Sequence, residues 1–373
     1  MKKINVAVIG ACGWIGGVHS ECWKRADLLL PDADIVLHTA VDIAEDPVKA
    51  TAAQYGFAHW STDYQTAIDD PEVDVIDICC SNSMHRDVAV KAAQAGKSIL
   101  CEKPLAISVD EAEDMVKAVQ DHKVPNRMNF MYRKYPSVAY VKELLDSGRL
   151  GAPRHLRINF EQDVMCSPDF PYSWRLRTAE SGGGVIVTLG SHILDVACYL
   201  MGDVDRVAAE SATHIKERPI PGKPGETGQV DVDDMTTVIL KYKSGATGEL
   251  HASWMTHGRK HHMEFELVCS DATVCFNSER MNEIAICEGD SDPLLRGFKT
   301  ILVGSEHPYG SLFNIKTGMG IGTKESFVMQ MYDFVRDILD GTVNGPDFHD
   351  GLIDAQNIAA IQKAAADHIW VSL

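Results

Sequence analysis

Short apolar runs alternate with longer amphipathic segments along the first third of the chain. The runs are apolar at consecutive positions, as in strands covered on both faces, whereas the segments between them carry apolar residues at helical spacing. Residues 4–9, 35–41, 73–80 and 98–101 are the predicted strands, and residues 15–30, 47–55 and 85–95 are the main predicted helices. This regular alternation predicts an α/β fold with a doubly wound parallel sheet.

From about residue 126 the pattern changes to strands in which apolar and polar residues alternate. The predicted strands are residues 154–160, 204–213, 236–242, 248–255, 263–269 and 273–276, and the predicted helices are residues 137–147, 191–200, 326–339 and 350–365. Two Gly-rich stretches, 216–231 and 288–324, are expected to be irregular. The alternation predicts an α+β domain with a large, mainly antiparallel sheet.

The 373 residues are too many for one hydrophobic core, so we place domain boundaries where the pattern changes. Residues 1–127 form the predicted parallel-sheet domain and residues 128–345 the predicted α+β domain. Residues 346–373 are a last helix that is expected to pack back on the first domain.

Composition and charge narrow the expected partners. A formal net charge of −18 disfavours binding to nucleic acid or an anionic membrane. The start of the chain resembles a strand rather than a signal peptide, and apolar runs fall short of the ~18 residues that span a bilayer. Ten scattered cysteines without a CxxC pair indicate free thiols and a cytoplasmic protein. His257, His261 and His262 lack the partner spacing of a metal site, so no metal is expected.

Three glycines follow the first predicted strand: Gly10, Gly13 and Gly16, with Cys12, Trp14 and Ile15 between them. A glycine-rich turn between a strand and a helix lets backbone amides approach a pyrophosphate at the helix N-terminus. The spacing is GxxGxxG rather than GxGxxG, and a tight turn without a ligand is the alternative.

Asp42 ends the second predicted strand. A carboxylate there can accept hydrogen bonds from the adenosine ribose and repels a 2′-phosphate, which favours NAD over NADP. A helix cap or a turn residue is the alternative interpretation of Asp42.

A lysine, Lys103, stands between Glu102 and Pro104 directly after the fourth predicted strand, where ligands collect in doubly wound sheets. Residues 92–106, which contain it, resemble the signature of the Gfo/Idh/MocA oxidoreductases, a family that includes glucose–fructose oxidoreductase and inositol dehydrogenases. Other segments resemble the family in the same order along nearly the whole chain. They are Gly13-Trp14-Ile15-Gly16 with His19, Cys80-Ser81-Asn82 with His85, Tyr132-Arg133 with Pro136, Trp174-Arg175, Gly182-Gly183-Gly184, and Gly190-Ser191-His192 with Asp195.

The resemblance implies a role for each of these residues. Lys103 and His192 are the implied catalytic pair: an imidazole can take the hydroxyl proton near neutral pH, and an ammonium can stabilise the developing alkoxide. Asp195 is expected to orient the imidazole or to bind a substrate hydroxyl. The implied cofactor contacts are Gly10, Cys12, Gly13, Trp14, Ile15, Asp42, Cys80, Ser81, Asn82, His85, Glu102, Lys103, Trp174 and Arg175, and the implied substrate contacts are Lys103, Tyr132, Arg133, Thr188, His192 and Asp195.

Three positions depart from the family pattern. Thr188, four residues before His192, replaces an Asp that commonly acts with the Lys and His. Ser81 replaces a Pro, and the glycine turn has its extra residue. Since Thr carries no charge, proton relay here is expected to rest on His192 alone or to borrow Asp195.

The resemblance implies an NAD(P)-binding Rossmann domain at 1–127, a substrate-binding and oligomerisation domain at 128–345, and a homodimer or homotetramer. The expected activity is NAD-dependent oxidation of a secondary hydroxyl of a cyclic polyol or sugar, of inositol or glucoside type. Two alternatives stay open: a glycosidase that retains NAD, and a non-catalytic NAD-binding regulator.

Overall fold

The computed structural model describes residues 1–289, 292–313, 316 and 318–373. The chain divides into two compact units. Unit 1 comprises Met1–Met131 and Gly322–Ala355, and unit 2 comprises Tyr132–Ile321 and Gln356–Leu373.

Helices and strands follow one another along the described residues in this order. The first part contains β1 (Lys2–Ile9), α1 (Trp14–Asp27), β2 (Ala33–Val41), α2 (Glu45–Tyr55), β3 (His59–Ser61), α3 (Tyr64–Asp69), β4 (Val75–Ile78), α4 (His85–Gln94), β5 (Ser98–Cys101), α5 (Val109–His122) and β6 (Asn126–Met128). The middle part contains α6 (Pro136–Asp146), β7 (Pro153–Glu161), α7 (Thr178–Ser181), α8 (Ser191–Met201), β8 (Val204–Ala212), β9 (Glu217–Pro219), β10 (Thr227–Gln229), β11 (Met235–Tyr242), β12 (Thr247–Ser253), β13 (His262–Cys269), β14 (Ala272–Asn277), β15 (Glu283–Glu288) and β16 (Lys299–Leu302). The last part contains α9 (Thr323–Asp340), α10 (Phe348–Asp367) and β17 (Val371–Ser372).

Unit 1 is built on a parallel sheet with the strand order β3-β2-β1-β4-β5-β6. Its central strand β1 is buried over its last six residues because helices cover both faces, as its uninterrupted apolar run predicted. The order reverses between β1 and β4, so the carboxyl ends of these two strands form the switch point at which doubly wound sheets bind ligands. The α/β prediction is therefore confirmed.

Unit 2 contains a large sheet with the order β16-β15-β14-β13-β7-β12-β11-β8-β17. Its pairings are antiparallel except for β12 with β7, which run parallel. Along β11, Val238, Leu240 and Tyr242 are buried, whereas Thr237 and Ile239 are exposed. One face of this strand thus packs into the unit and the other stays open, as the alternating pattern predicted.

The boundary predicted at residue 345 is corrected by the position of α9. Apolar residues of α9, among them Phe327, Val328 and Met331, are buried, and the helix packs on α1. Its Asp337 carboxylate also accepts a hydrogen bond from the Arg127 guanidinium in unit 1. An amphipathic helix has the same spacing of apolar residues whichever unit it packs against, so this spacing alone does not reveal the partner of α9. The last helix, α10, is shared: residues up to Ala355 belong to unit 1 and those from Gln356 to unit 2.

Both stretches expected to be irregular contain short strands. β9 and β10 pair as an antiparallel hairpin within 216–231, and β16 joins the edge of the large sheet within 288–324. Three-residue strands carry too few positions to show alternation. Residues 290, 291, 314, 315 and 317 of the second stretch lie outside the described residues.

One helical run, Thr178–Met201, is long and apolar enough to cross a membrane by length and composition. Its apolar window is 78% buried inside the protein, as in a core helix. A π-helical turn, Ile186–Gly190, lies within this run and leads directly into α8.

Candidate functional site

The glycine turn between β1 and α1 combines two glycines that packing requires with one that it does not. Gly10 has a φ of +86°, and a Cβ there would lie 2.7 Å from the Cys79 carbonyl oxygen. A Cβ on Gly16 would lie 2.3 Å from the Gly10 oxygen, whereas one on Gly13 would meet only that oxygen, at 3.4 Å. Gly13 is exposed at the start of α1, and no side chain caps this helix. Packing does not explain Gly13, but the approach of a pyrophosphate to the helix N-terminus does.

The rest of the predicted phosphate cradle surrounds this turn. Trp14 is 81% exposed, and Cys12 and Ile15 are half-buried. The Cys12 N–H donates to Oδ2 of Asp42 over 2.9 Å, and the Ile43 N–H donates to Oδ1 over 2.8 Å. These bonds fix the Asp42 carboxylate at the end of β2, beside the turn, where a ribose would be bound. The residues of unit 1 therefore fit a dinucleotide.

The residues after β4 are tied to the residues after β5 through His85. His85 is buried, its Nδ1 donates to the Pro104 carbonyl oxygen over 2.9 Å, and its Nε2 lies 3.3 Å from the Cys80 oxygen. Burial lowers the pKa of His85, so the ring is neutral at neutral pH. Ser81 and Asn82 are half-buried at the start of the short helical turn Asn82–Met84. His85 thus supports the site through the backbone that carries Cys80 and Lys103.

Glu102 and Lys103 follow β5 at the carboxyl edge of the sheet. Glu102 is 8% exposed, and Oε1 accepts a hydrogen bond from His19 over 2.9 Å. The Lys103 N–H donates to Oε2 over 3.1 Å, and Asn129 donates to the same carboxylate from the residue after β6. Lys103 itself is half-buried. The structure thus holds the predicted catalytic lysine beside a fixed carboxylate.

His192 lies in the first turn of α8, within an aromatic cluster in unit 2. Its ring packs edge-on against Tyr132, with centroids 4.8 Å apart, and lies 6.1 Å from the Phe160 ring. The Tyr132 hydroxyl is 2.6 Å from Nε2 of His261, and Nδ1 of His261 is 3.1 Å from the Gln162 amide nitrogen. Crowding by these neighbours lowers the pKa of His261 although part of its ring stays open to solvent. Tyr132 and Phe160 are 2% and 1% exposed and form the packed part of the cluster, whereas His261 and Gln162 present its accessible hydrogen-bonding groups.

Asp195, predicted to orient the imidazole or to bind substrate, is held by Arg133. Nε of Arg133 lies 2.9 Å from Oδ1 and 3.0 Å from Oδ2, and Asp195 is 4% exposed. Arg133 also covers the Tyr199 ring at 4.9 Å. The ion pair therefore fixes the Arg133 side chain against the first turns of α8, which carry Asp195. Arg133 and Asp195 therefore act together rather than as two separate contacts.

Thr188 lies on the π-helical turn before α8 and is half-buried. Asp233 supports the start of this turn, because its carboxylate accepts hydrogen bonds from Gly184 N–H over 2.9 Å and Ile186 N–H over 3.0 Å. A Cβ on Gly184 would lie 2.0 Å from the Asp233 carbonyl oxygen, so packing requires that glycine. The triple glycine thus serves to shape the turn that carries Thr188.

Trp174 and Arg175, predicted cofactor contacts, form a short helical turn, Trp174–Leu176, in unit 2. The Arg175 guanidinium lies 4.5 Å from the centroid of the Trp174 ring, a cation–π pair. Trp174 is half-buried and Arg175 is exposed. Their contact with a cofactor stays a prediction.

The structure brings most predicted cofactor contacts together at one edge of the unit 1 sheet. Lys103 and His192 belong to different units, so their pairing stays a prediction. Sequence reasoning missed the partners that hold these residues: Asp77, Asn129, Gln162 and Asp233, and it assigned no contact to His19. Asp77 carried a signal, because it is a carboxylate flanked by the apolar residues Val75, Ile76 and Ile78 in the middle of a predicted strand.

Among the described residues, His19, Asp77 and Cys79 form one group of metal-ligand types, with ligand atoms within 4.8 Å of one another. Both ring nitrogens of His19 already lie 2.9 Å from carboxylate oxygens, of Asp77 and of Glu102. We therefore explain this group by hydrogen bonding and assign no metal to it.

Known proteins resemble the chain over its full length. Residues 4–130 match the family described as oxidoreductase family, NAD-binding Rossmann fold, and residues 138–275 match the GFO/IDH/MocA C-terminal domain. Levoglucosan dehydrogenase of Pseudarthrobacter phenanthrenivorans is 33% identical, with 100% of this chain and 99% of that protein covered. The scyllo-inositol 2-dehydrogenase (NAD(+)) of Bacillus subtilis is 28% identical, with 80% of this chain and 81% of that protein covered.

Solved structures agree with these matches. Levoglucosan dehydrogenase in complex with NADH and levoglucosan has a TM-score of 0.96 at 32% identity, covering 100% of this chain and 99% of that one. The chain therefore belongs to the Gfo/Idh/MocA family and is an NAD-dependent oxidoreductase that acts on CH–OH groups.

Proposed function

We propose that this protein oxidises a secondary hydroxyl of a cyclic sugar, and that its substrate is a ring-locked anhydrohexose of the levoglucosan type. The observation that carries the proposal is the full-length similarity to levoglucosan dehydrogenase, which has been solved with NADH and levoglucosan. A substrate of this class also fits the chemistry of unit 2, where ring faces and hydrogen-bonding groups surround His192.

The aromatic cluster of unit 2 favours a rigid, uncharged sugar over an open-chain or anionic substrate. The exposed ring of His261 can pack on the apolar C–H surface of a pyranose, and His261 and Gln162 can bind its hydroxyls. Tyr132 and Phe160, which are buried, pack against the His261 ring and hold it. Arg133 is paired with Asp195 and is therefore not available as an open cation for a carboxylate or a phosphate.

In this proposal His192 takes the proton of the hydroxyl that is oxidised. Bound NAD supplies the hydride acceptor. Lys103 stabilises the negative charge that develops on the substrate oxygen, because an ammonium placed there interacts more strongly with an alkoxide than with a hydroxyl. Thr188 adds no charge, and Asp195 is engaged by Arg133, so the proton transfer rests on His192.

A substrate panel tests the activity. Levoglucosan, other anhydrosugars, inositols, free hexoses and glycosides are each incubated with NAD, and NADH formation is followed at the nicotinamide absorbance band. We expect the best kcat/KM on an anhydrohexose. A higher kcat/KM on an inositol or a free hexose than on any anhydrohexose would overturn the substrate assignment but not the oxidoreductase activity.

The same assay separates the two alternatives. Release of a free sugar without net NADH would favour a glycosidase that retains its NAD, and tight NAD binding without turnover on the whole panel would favour a regulator. Lys103→Met and His192→Asn are expected to lower kcat by about two orders of magnitude or more each while NAD still binds. Turnover that survives in both variants would contradict the catalytic assignment.

We also propose a cytoplasmic homo-oligomer that associates through the open face of the large sheet. All ten cysteines, which lie within the described residues, are free thiols, as suits a reducing compartment. On the sheet, Ile239 is 51% exposed, and a shallow cavity of about 350 Å³ lies between Arg157, Glu266 and Arg280. Light scattering is expected to show a dimer or tetramer that Ile239→Glu weakens. A wild-type monomer at micromolar concentration would contradict this.

A further inference from the structure

His19, Asp77 and Glu102 are buried together in unit 1. The proposed reaction does not require any of these three side chains to gain or lose a proton. His19 of α1 is fully buried, with Nδ1 2.9 Å from Oδ2 of Asp77 and Nε2 2.9 Å from Oε1 of Glu102. A neutral imidazole can donate only one hydrogen bond, and both of these partners are carboxylates. With the carboxylates ionised, the geometry fits an imidazolium that donates to Asp77 on one side and to Glu102 on the other.

The charges around His19 support that protonation state. Burial by itself would lower the pKa of His19, but the Asp77 carboxylate raises it well above its ordinary value. The ring also packs edge-on against Phe327 at 5.6 Å. The groups that face this network are Asp77 of β4, Cys79 after β4, Cys22 and Trp23 of α1, Glu102 and Lys103 after β5, Asn129 after β6, and Phe327 of α9.

Glu102 is the member of the network that reaches the predicted catalytic lysine. Burial would raise the pKa of Glu102, but hydrogen bonding to His19, the charges of His19 and Lys103, and the Asn129 amide hold it below its ordinary value. Its Oε2 also accepts the backbone N–H of Lys103 over 3.1 Å. Glu102 is thus a fixed anion that contacts Lys103 through the backbone and attracts its ammonium.

We infer that His19 is a positioning residue for Lys103. Its imidazolium holds the Glu102 carboxylate in place, and Glu102 in turn fixes the backbone N–H of Lys103 and attracts its ammonium group. This inference rests on the proposed function, in which Lys103 touches the reacting oxygen. His19 acts through Glu102 and does not itself touch the substrate.

The chain offers a matched control in the same network. Trp23 Nε1 donates to Oδ2 of Asp77 over 2.7 Å, so Trp23→Phe disturbs the Asp77 side of the network and leaves the His19–Glu102 hydrogen bond in place. His19→Gln removes the charge and keeps a polar side chain. If His19 served only folding, the two variants would have the same kcat whenever their losses of stability were equal.

We expect His19→Gln to lower kcat by about 10- to 100-fold, because displacing a catalytic group by about 1 Å has an effect of this size. NAD affinity, measured by titration of intrinsic fluorescence, is expected to change far less than kcat, because the His19 side chain is fully buried. Trp23→Phe is expected to keep kcat near that of the wild type although its Tm falls.

The pH profile gives a second readout. Without the imidazolium, Glu102 loses its main counter-charge, so its pKa rises and it takes up a proton at higher pH. Activity of His19→Gln should therefore fall on the acid side from a higher pH than wild-type activity. A purely structural defect would lower the whole profile without moving this limb.

Several outcomes would overturn the inference. It fails if His19→Gln keeps both kcat and the acid limb, or if Trp23→Phe loses as much kcat at the same Tm. If His19→Gln does not fold, Asn129→Ser, which removes another donor to Glu102, must show the same shift of the acid limb or the inference fails. Lys103→Met separates the two proposals. Unchanged turnover in that variant would contradict the proposed function. An inactive Lys103→Met together with wild-type kcat in His19→Gln would contradict only the role of His19.

Discussion

Arg133 and Asp195 form a buried ion pair in unit 2, with the Arg133 Nε 2.9 Å from one carboxylate oxygen and 3.0 Å from the other. The side chains are 12% and 2% exposed, so each charge depends on its partner rather than on water. The pair joins the short turn after β6 to the first turns of α8, which also carries His192. Loss of this ion pair should therefore lower the free energy of unfolding more than it lowers the rate of the reaction.

Asp195→Ala is expected to lower the free energy of unfolding by about 3–5 kcal/mol, because it removes the carboxylate that both the Nε and a terminal nitrogen of the buried Arg133 guanidinium contact. Urea denaturation at neutral pH measures this, and the double variant Arg133→Met/Asp195→Leu should recover part of the loss. Breaking the more exposed pair of Arg149 with Glu288 is the control and should cost less than about 1 kcal/mol. Wild-type stability in Asp195→Ala would return Asp195 to a direct role at the substrate.

Two alanine variants in the glycine turn separate packing from cofactor binding. Gly10→Ala should destabilise unit 1 by more than about 2 kcal/mol, because the new Cβ meets the Cys79 carbonyl at a positive φ. Gly13→Ala should leave stability within about 1 kcal/mol and weaken NAD binding about tenfold or more, because its Cβ projects where a pyrophosphate approaches α1.

Urea denaturation and NAD titration on the same two proteins check this. Equal NAD affinity in Gly13→Ala and the wild type would show that the pyrophosphate does not pass over this glycine.

Asp42 is expected to set the preference for NAD. Asp42→Asn removes the charge while an oxygen stays available to the Cys12 N–H, so the fold should be kept and the KM for NAD should rise about tenfold. The KM for NADP should fall, because the repulsion of a 2′-phosphate is lost. Steady-state kinetics with both cofactors measures the ratio. Asp46→Asn, the same charge change at an exposed position of α2, should leave that ratio unchanged.

Asp337 should make unit 1 sensitive to acid. Burial would raise the pKa of Asp337, but hydrogen bonds from Thr342 and Asn344 and the Arg127 guanidinium lower it. A carboxyl whose pKa is lower in the folded state stabilises the fold above its unfolded value of about 3.9, and this contribution is lost as pH falls through the folded pKa.

At neutral pH, Asp337→Asn should therefore lose about 3–5 kcal/mol of stability. Its deficit relative to the wild type should shrink as urea denaturation is repeated below about pH 4. Asp340→Asn, at an exposed position of the same helix, is the control and should show no such convergence. A deficit that stays constant with pH would mean that the charge of Asp337 is not what stabilises α9.

Local pattern was sufficient for β1, β2, β4 and β5 and for the glycine turn, but the three-residue strands β3 and β6 were missed. An apolar run such as β1 has only one stable environment, a strand covered on both faces, so its place in the sheet follows from its composition. Gly10, Asp42 and Lys103 follow the parallel strands β1, β2 and β5, and the carboxyl ends of parallel strands meet at one edge. Their approach to a common site was therefore predictable from the order of the elements.

What the sequence did not reveal are contacts between residues far apart in the chain. The imidazolium of His19 depends on Asp77 and Glu102, 58 and 83 residues away, and nothing local distinguishes it from a neutral core histidine. The role predicted for Asp195, at the imidazole or at the substrate, stays a prediction, and its ion pair with Arg133 was not visible in the sequence. The helix α9 was assigned to the second domain because its amphipathic period shows that one face is buried but does not show which unit that face packs against.

The sequence by itself determined the fold class and the cofactor and predicted the residues that do the chemistry, because these depend on residue type and on order along the chain. Tertiary structure alone decided which carboxylate pairs with which cation, and hence which groups are charged and fixed and which stay open to a ligand. The physical reason is that a buried charge takes its protonation state and its orientation from neighbours that the fold, and not the adjacent sequence, brings to it.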